Sequence, residues 1–292
     1  MKVCGFTFIR NAVKFDFPVV EAITSVLPLC DYFVAAVGNS ADQTRQLIES
    51  IVPGKIKVID TVWDETKKQG GQVYADETNK AFDVVPEEFD WCFYIQGDEV
   101  LHEKYLPLVK QAMLENLNRK NVDGLLFDFK HFYGSYDYVG DCRHWYQKEI
   151  RVIRNDKNIR SYKDAQGFRK LGEKLQVVPV EAEIYHYGWV RHPVYMQQKL
   201  DAVKAFYGGI SEEEARDKTL AREFDYKAEY DALARFEGSH PLVMQKRIER
   251  LNWHFDADLS KVNMKWKYRW LYRIEKWTGV RLFEYRNYRL LK

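Results

Sequence analysis

The chain has 292 residues and a mass of 34.7 kDa, enough for one large α/β domain with an extension or for two small domains. With 46% hydrophobic, 15% aromatic and 30% charged residues it is too apolar for a disordered chain, and no apolar run approaches the roughly 18 residues that a membrane-spanning helix needs. The net charge of +2 hides an asymmetry: Lys261 to Lys292 hold ten bases against Glu275 and Glu284, a local +8, which leaves residues 1–260 at −6.

In chain order, Val3 to Ile9 is a short β-branched and aromatic run that ends in Arg10-Asn11, the pattern of a buried strand opening into a loop. Pro18 to Leu27 carries apolar residues at helical spacing. Tyr32 to Val37 is a second apolar strand, closed by Gly38-Asn39-Ser40 and followed by a helix from about Asp42 to Ile51. Lys55 to Thr61 is a third strand, Tyr74 to Val84 a helix after the Gly70-Gly71 loop, and Trp91 to Gln96 a fourth strand that stops at Gly97-Asp98-Glu99. Tyr105 to Leu117 reads as a helix, and Gly124 to Phe132, Ile150 to Ile153 and Val177 to Tyr187 read as strands. Beyond Val190 the pattern turns to charged helices with no convincing strand.

Strands alternating with helices predict an α/β fold with a mainly parallel sheet, and ligands gather at the C-terminal strand ends of such sheets. The division expected is a nucleotide-binding unit over residues 1–190 and a helical, basic and aromatic extension over residues 191–292. The N-terminus enters a strand at once, with no signal-peptide pattern. Cys4, Cys30, Cys92 and Cys142 form no C-x-x-C pair and read as free thiols, so the expected location is cytoplasmic.

The segment Trp91 to Glu99 carries the sharpest signal, because adjacent carboxylates at the end of a buried strand are costly unless a cation binds them. Mg2+ or Mn2+ fits, since such an ion takes one or two protein carboxylates and completes its shell with water and phosphate oxygens. The competing reading makes Asp98 a helix cap near Glu103 and leaves Glu99 solvated.

In this order the motifs resemble family 2 glycosyltransferases of the GT-A fold, the bacterial lipopolysaccharide or capsule type among them, over residues 3 to about 200. Phe6 to Asn11 matches the first nucleotide-contacting strand end, Val37 to Thr44 the acidic second loop, Thr78 to Ala81 the helix before the metal strand, and Ile95 to Glu99 the DxD motif. The resemblance implies donor contacts at Phe8, Arg10, Asn11, Gly38, Asn39, Asp42, Asn79, Gln96, Gly97 and Asp98. It implies a divalent metal on Asp98 and on His186, within Ile184-Tyr-His-Tyr-Gly188; the alternative for His186 is a histidine satisfied by hydrogen bonds at a sheet edge. Two departures stand out: Gln96 replaces the first acid of the DxD motif, and Gly38 replaces the acid of the second loop.

An inverting transferase needs a carboxylate to take the acceptor hydroxyl's proton. The resemblance places it before the late histidine, where Asp164 is the first choice and Glu149 and Glu173 follow. Lys148, Arg151 and Arg154 are candidates for the diphosphate, or simply the wet face of a strand.

Trp266, Trp270, Ile274 and Trp277 fall on one helical face among bases. That composition suits a helix lying on an anionic membrane, with a glycan or lipid-linked acceptor nearby, or a helix docked on the body through its tryptophans. A sugar-phosphate nucleotidyltransferase, and a nucleic-acid-binding or membrane-binding protein using the basic tail, are the competing functions. The acidic body argues against nucleic acid.

Overall fold

The structure, a computed structural model, describes residues 1–64, 66–67, 69–207 and 222–291. Its helices are α1 (Val19–Val26), α2 (Thr44–Glu49), α3 (Gln72–Asp83), α4 (Leu106–Glu115), α5 (Pro193–Phe206), α6 (Gln245–Glu249) and α7 (Trp266–Thr278). The strands of the first half are β1 (Val3–Ile9), β2 (Tyr32–Val37), β3 (Ile56–Asp60), β4 (Trp91–Tyr94), β5 (Glu99–Leu101), β6 (Gly124–Tyr133) and β7 (Tyr138–Gly140). Those of the second half are β8 (Lys148–Arg154), β9 (Ile159–Tyr162), β10 (Gly167–Lys170), β11 (Glu173–Lys174), β12 (Gln176–Trp189), β13 (Leu233–Arg235) and β14 (Arg289–Leu290).

The α/β class expected from the alternation is the one observed: a mixed, mostly parallel sheet flanked by helices. Its central order is β3-β2-β1-β4-β8-β6-β12. The pairs β1–β2, β2–β3, β1–β4 and β6–β12 are parallel, while β8 runs against both β4 and β6. The inner strands read as continuous apolar runs because both faces are buried. Along β1 and β4, Val3, Ile9, Trp91 and Phe93 join α1, α2 and α4 in one core; Cys4, Phe6, Cys92 and Tyr94 join α3 and the small β9–β10–β11 sheet in the other. Cys4, Cys30, Cys92 and Cys142 are free.

The chain runs outward from β1 to β3 with α1 and α2 on one face, then returns over the opposite face through α3 to set β4 on the free edge of β1. The strand order reverses between β1 and β4. Their C-terminal ends therefore flank a crevice, the usual ligand position in such sheets.

Two expectations are corrected. The region after Val190 contributes strands: β13 pairs with β7 and β14 with β12. Each pairing spans two or three residues, too few to leave a period-2 signature. The tryptophan face of α7 does not dock on the body, for Trp266, Trp270 and Trp277 are 77%, 59% and 89% exposed. Among the described residues, no helix is long and apolar enough to cross a membrane.

Candidate functional site

Asp98 lies in the turn that links β4 to β5, buried, with its backbone carbonyl accepting from Tyr187 N at 2.8 Å. That bond and the antiparallel pairing of His186 with Glu99 bring the late histidine to the end of β4. Asp98 Oδ1 is 3.8 Å from His186 Nε2, and Asp98 Oδ2 is 3.8 Å from Lys199 Nζ.

The hydrogen bonds assign the tautomer of His186. His131 Nε2 is 2.8 Å from Tyr146 O, and a carbonyl only accepts, so this nitrogen carries the proton. Burial and the neighbouring His186 push the His131 pKa well below its ordinary value, so its Nδ1 is an acceptor. His186 Nδ1, 3.0 Å away, is then the donor. Burial also lowers the His186 pKa and keeps the ring neutral, which leaves a lone pair on Nε2. The contact with Asp98 is thus an acceptor facing an acceptor, beyond hydrogen-bonding distance, rather than an ion pair.

Gly188 keeps this gap open. A Cβ there would fall 2.6 Å from His186 Nε2 and 2.9 Å from Asp98 Oδ2. A carboxylate and a neutral imidazole facing one another across a space only glycine spares fit a hard or borderline divalent cation. Among the described residues no third His, Cys, Asp or Glu joins them, so water and ligand oxygens would fill the rest of the shell.

Two cations border the carboxylate. Burial raises the Asp98 pKa, but the neighbouring His186, then Lys199 and Arg191, outweigh it and hold the group below its ordinary value. Burial and Arg191 lower Lys199 to about 7. Its ammonium donates to Gly188 O at 3.3 Å. Arg191, fully buried, donates Nη1 to Phe15 O at 2.8 Å and stacks on Phe17, while its Nε and Nη2 have no partner among the described residues. Unpartnered guanidinium nitrogens in the interior are costly and suit an anion. Sequence reasoning missed both residues, and Gly188 with them; both cations sit within the charged stretch after Val190, where a functional base looks like any solvated one.

Glu99 and Arg151 depart from the roles considered for them. Glu99 is fully buried, and Arg151 Nε and Nη2 donate to its two oxygens at 2.7 and 2.5 Å. Glu99 is therefore neither solvated nor a metal ligand, and Arg151 is not free to hold a diphosphate. Arg154 stacks on Trp91 at 3.8 Å and Lys148 pairs with Asp128, so neither of them faces the crevice as a free cation. The cation that balances Glu99 is supplied by the chain itself, as Arg151.

Of the residues expected to contact a donor, Phe8, Arg10, Asn11, Gly38, Asn39 and Asp42 lie at or just beyond the ends of β1 and β2. Phe8 stacks on Tyr74 at 5.9 Å, Trp63 meets Tyr74 edge-on at 5.5 Å, and Arg10 lies over Trp63 at 5.4 Å. Gly38 touches Trp63, whose buried Nε1 lacks a partner among the described residues. Trp63 and Tyr74 escaped the sequence reading although Trp63 stands at a strand end, the one signal that pointed to it. Asn11, at φ 55°, accepts from Ala41 N through Oδ1 at 2.8 Å, and Asp42 accepts from Lys14 N at 2.7 Å, so both knit the two loops together. Asn39 Oδ1 accepts from Trp63 N at 3.4 Å. Asn79 Oδ1 accepts from Ser161 N at 2.8 Å, tying α3 to β9. Gln96 Nε2 donates to Tyr94 Oη at 3.2 Å and Ala165 O at 3.3 Å, and Gly97 passes close to Ile9.

Asp164 is exposed, in the β9–β10 turn between Lys163 and Ala165, both at positive φ, and its Cβ lies against Gly71. Glu173, on β11, pairs with Arg289 at 2.7 Å. Glu149 is buried with Oε2 unpartnered among the described residues, and burial raises its pKa to about 8. At neutral pH it already carries its proton and cannot take another.

A pH dependence follows from Glu149. Between about 4.5 and 8 the unfolded chain has released this proton while the folded chain keeps it, so the group's contribution to stability is lost as pH rises through that window. Glu149→Gln is expected to match the parent near pH 4 in urea denaturation and to exceed it at pH 8 by on the order of a few kcal/mol. A difference that does not change with pH would remove the assignment of a neutral acid.

No protein-family model and no curated protein match the chain. Solved structures do. Residues 1–349 of S. aureus TarS align at 16% identity over 76% of this chain and 70% of that one, with a TM-score of 0.38, or 0.40 for the complex with UDP. Glucosyl-3-phosphoglycerate synthase from Mycobacterium tuberculosis, in complex with Mn2+, UDP and phosphoglyceric acid, aligns at 15% over 45% of this chain and 43% of that one, with a TM-score of 0.29. The 4-diphosphocytidyl-2C-methyl-D-erythritol synthase from Anaerococcus prevotii aligns at 10% over 53% and 71%, with a TM-score of 0.33. These likenesses are distant, and function has to be argued from the site.

Proposed function

We propose that the chain is a metal-dependent glycosyltransferase of the GT-A type that moves a sugar from a nucleotide-diphosphate donor to an acceptor hydroxyl with inversion. The observation that carries this reading is the pair of acceptor atoms, Asp98 Oδ1 and His186 Nε2, 3.8 Å apart beside Gly188 at the strand-order reversal, with two cations alongside. Asp98 and His186 would hold Mn2+ or Mg2+, which when bound neutralises charge on the departing diphosphate. The unpartnered nitrogens of Arg191 and the Lys199 ammonium would take phosphate oxygens. Phe8, Arg10, Asn11, Gly38, Asn39 and Asp42 shape the nucleoside side of the crevice, while Asn79, Gln96 and Gly97 position the loops beside the sugar. Residues 191–292 then form more than an appendage, because Arg191 and Lys199 border Asp98.

Calorimetry with UDP and GDP tests this reading: EDTA should weaken the binding seen with Mn2+ by about 10²-fold or more, down to what Arg191 and Lys199 supply alone, whereas equal binding without metal would overturn it.

Asp164 is the proposed base. It is exposed, and its loop is anchored to the Asp98 turn by the Gln96–Ala165 hydrogen bond. Asp164→Asn should leave donor affinity unchanged and lower turnover by about 10²-fold or more, the usual loss for a general base. Turnover near that of the parent would remove Asp164 from the role.

A further inference from the structure

A helix on the surface of a globular body normally turns its apolar stripe inward and its charges out. Helix α7 turns its tryptophans outward. Its only acid, Glu275, faces the body, where Arg143 Nη1 donates to it at 2.7 Å and Gln147 Nε2 at 2.9 Å. Tyr272 and Lys276 anchor the same side to Asp141, each at 2.7 Å. The outward stripe is Trp266, Trp270, Arg273 and Trp277, spaced i, i+4, i+7 and i+11.

The apolar surface continues past the helix. Gly279 ends it at φ 70°, and the turn beyond presents Val280 and Phe283, the latter 90% exposed. Phe283 holds φ 58°, a left-handed conformation that is uncommon for a bulky residue. The turn is braced by Arg281, which donates to the carbonyls of Arg143 and Trp145 and pairs with Glu284 at 3.3 Å. Both acids of the 261–292 segment are thus engaged in ion pairs, and the bases Lys265, Lys267, Arg269 and Arg273 are exposed around the tryptophans.

We infer that this face docks on the surface of an anionic lipid bilayer, with the tryptophans and Phe283 entering the headgroup region and the bases meeting the lipid phosphates. Charge complementarity selects this occupant. An uncharged apolar partner would gain nothing from the ring of bases, and a second copy of the same face would set base against base. Tryptophan flanked by lysine and arginine on a helix parallel to the surface matches the chemistry of a membrane interface. The inference stands apart from the transfer reading, because vesicle binding needs no activity.

The experiment is co-sedimentation of the full chain with vesicles of phosphatidylcholine, with and without phosphatidylglycerol, at low and raised salt. Binding is expected only with phosphatidylglycerol, and it should weaken as salt rises. Replacing Lys265, Lys267, Arg269 and Arg273 together by Gln should reduce it by more than about tenfold, since each base near an anionic surface contributes roughly fivefold. Trp270→Ala combined with Trp277→Ala should reduce it comparably at unchanged melting temperature, because these rings are exposed already. Absence of binding to the anionic vesicles would overturn the inference. So would equal binding to neutral ones, tryptophan-dependent self-association in sedimentation velocity without vesicle binding, or preferential binding of an oligonucleotide.

Discussion

Glu99→Ala is expected to cost about 3–5 kcal/mol of folding stability, the range seen when one partner of a buried ion pair is removed. Glu99 and Arg151 are both fully buried and joined by two hydrogen bonds, with the guanidinium also lying 4.8 Å from the centre of the Phe129 ring. Truncation leaves that guanidinium without a counter-charge in a medium that penalises it heavily. Glu99 Oε2 also accepts from Gln96 N at 3.1 Å, so the loop carrying Asp98 loses a fastening at the same time. Domains of this size have roughly 5–15 kcal/mol in total, so the variant should unfold at markedly lower denaturant. The double change Glu99→Met with Arg151→Met should recover much of the loss, because it removes both charges and leaves no orphan. A loss below about 1 kcal/mol for Glu99→Ala would show that water reaches Arg151.

The same pair shows where sequence reasoning reaches its limit. Asp98 and Glu99 are adjacent and chemically alike, and the cost of burying both was legible from their position after an apolar strand. What each of them faces depends on the local backbone: Glu99 opens β5 and turns to Arg151 on β8, while Asp98 in the preceding turn faces His186 and Lys199. The strands of the central sheet were readable because their apolar runs are continuous. The hairpin strands β9, β10 and β11 were not, since Arg160, Lys170 and Glu173 interrupt any period. Likewise Asp98 and His186 could be nominated by motif, whereas Arg191, Lys199 and Gly188 acquire meaning only when β12 and α5 close over the turn.

Asp98→Asn and Gly188→Ala test the metal site from opposite directions. The first keeps the shape of the side chain and removes its charge; the second keeps both ligands and fills the space between them. Because a bound divalent cation contributes several kcal/mol to holding a diphosphate, each change should weaken UDP or GDP binding in the presence of Mn2+ by about 10²-fold or more. Asp98→Asn should leave the fold intact, as the Tyr187 bond to the Asp98 carbonyl involves only backbone. For Gly188→Ala the added methyl would lie 2.6 Å from His186 Nε2, so the ring has to shift and strain its bond to His131. A stability loss of about 1–3 kcal/mol is expected from such overpacking, small enough to leave a folded protein for calorimetry. Gly188 lies outside the positive-φ region, so the methyl acts through space rather than through backbone strain. Residual nucleotide binding in both variants should no longer respond to EDTA, because it would rest on Arg191 and Lys199 alone. Retention of Mn2+-dependent binding in Gly188→Ala would place the ion elsewhere, and retention in Asp98→Asn would remove Asp98 as its ligand.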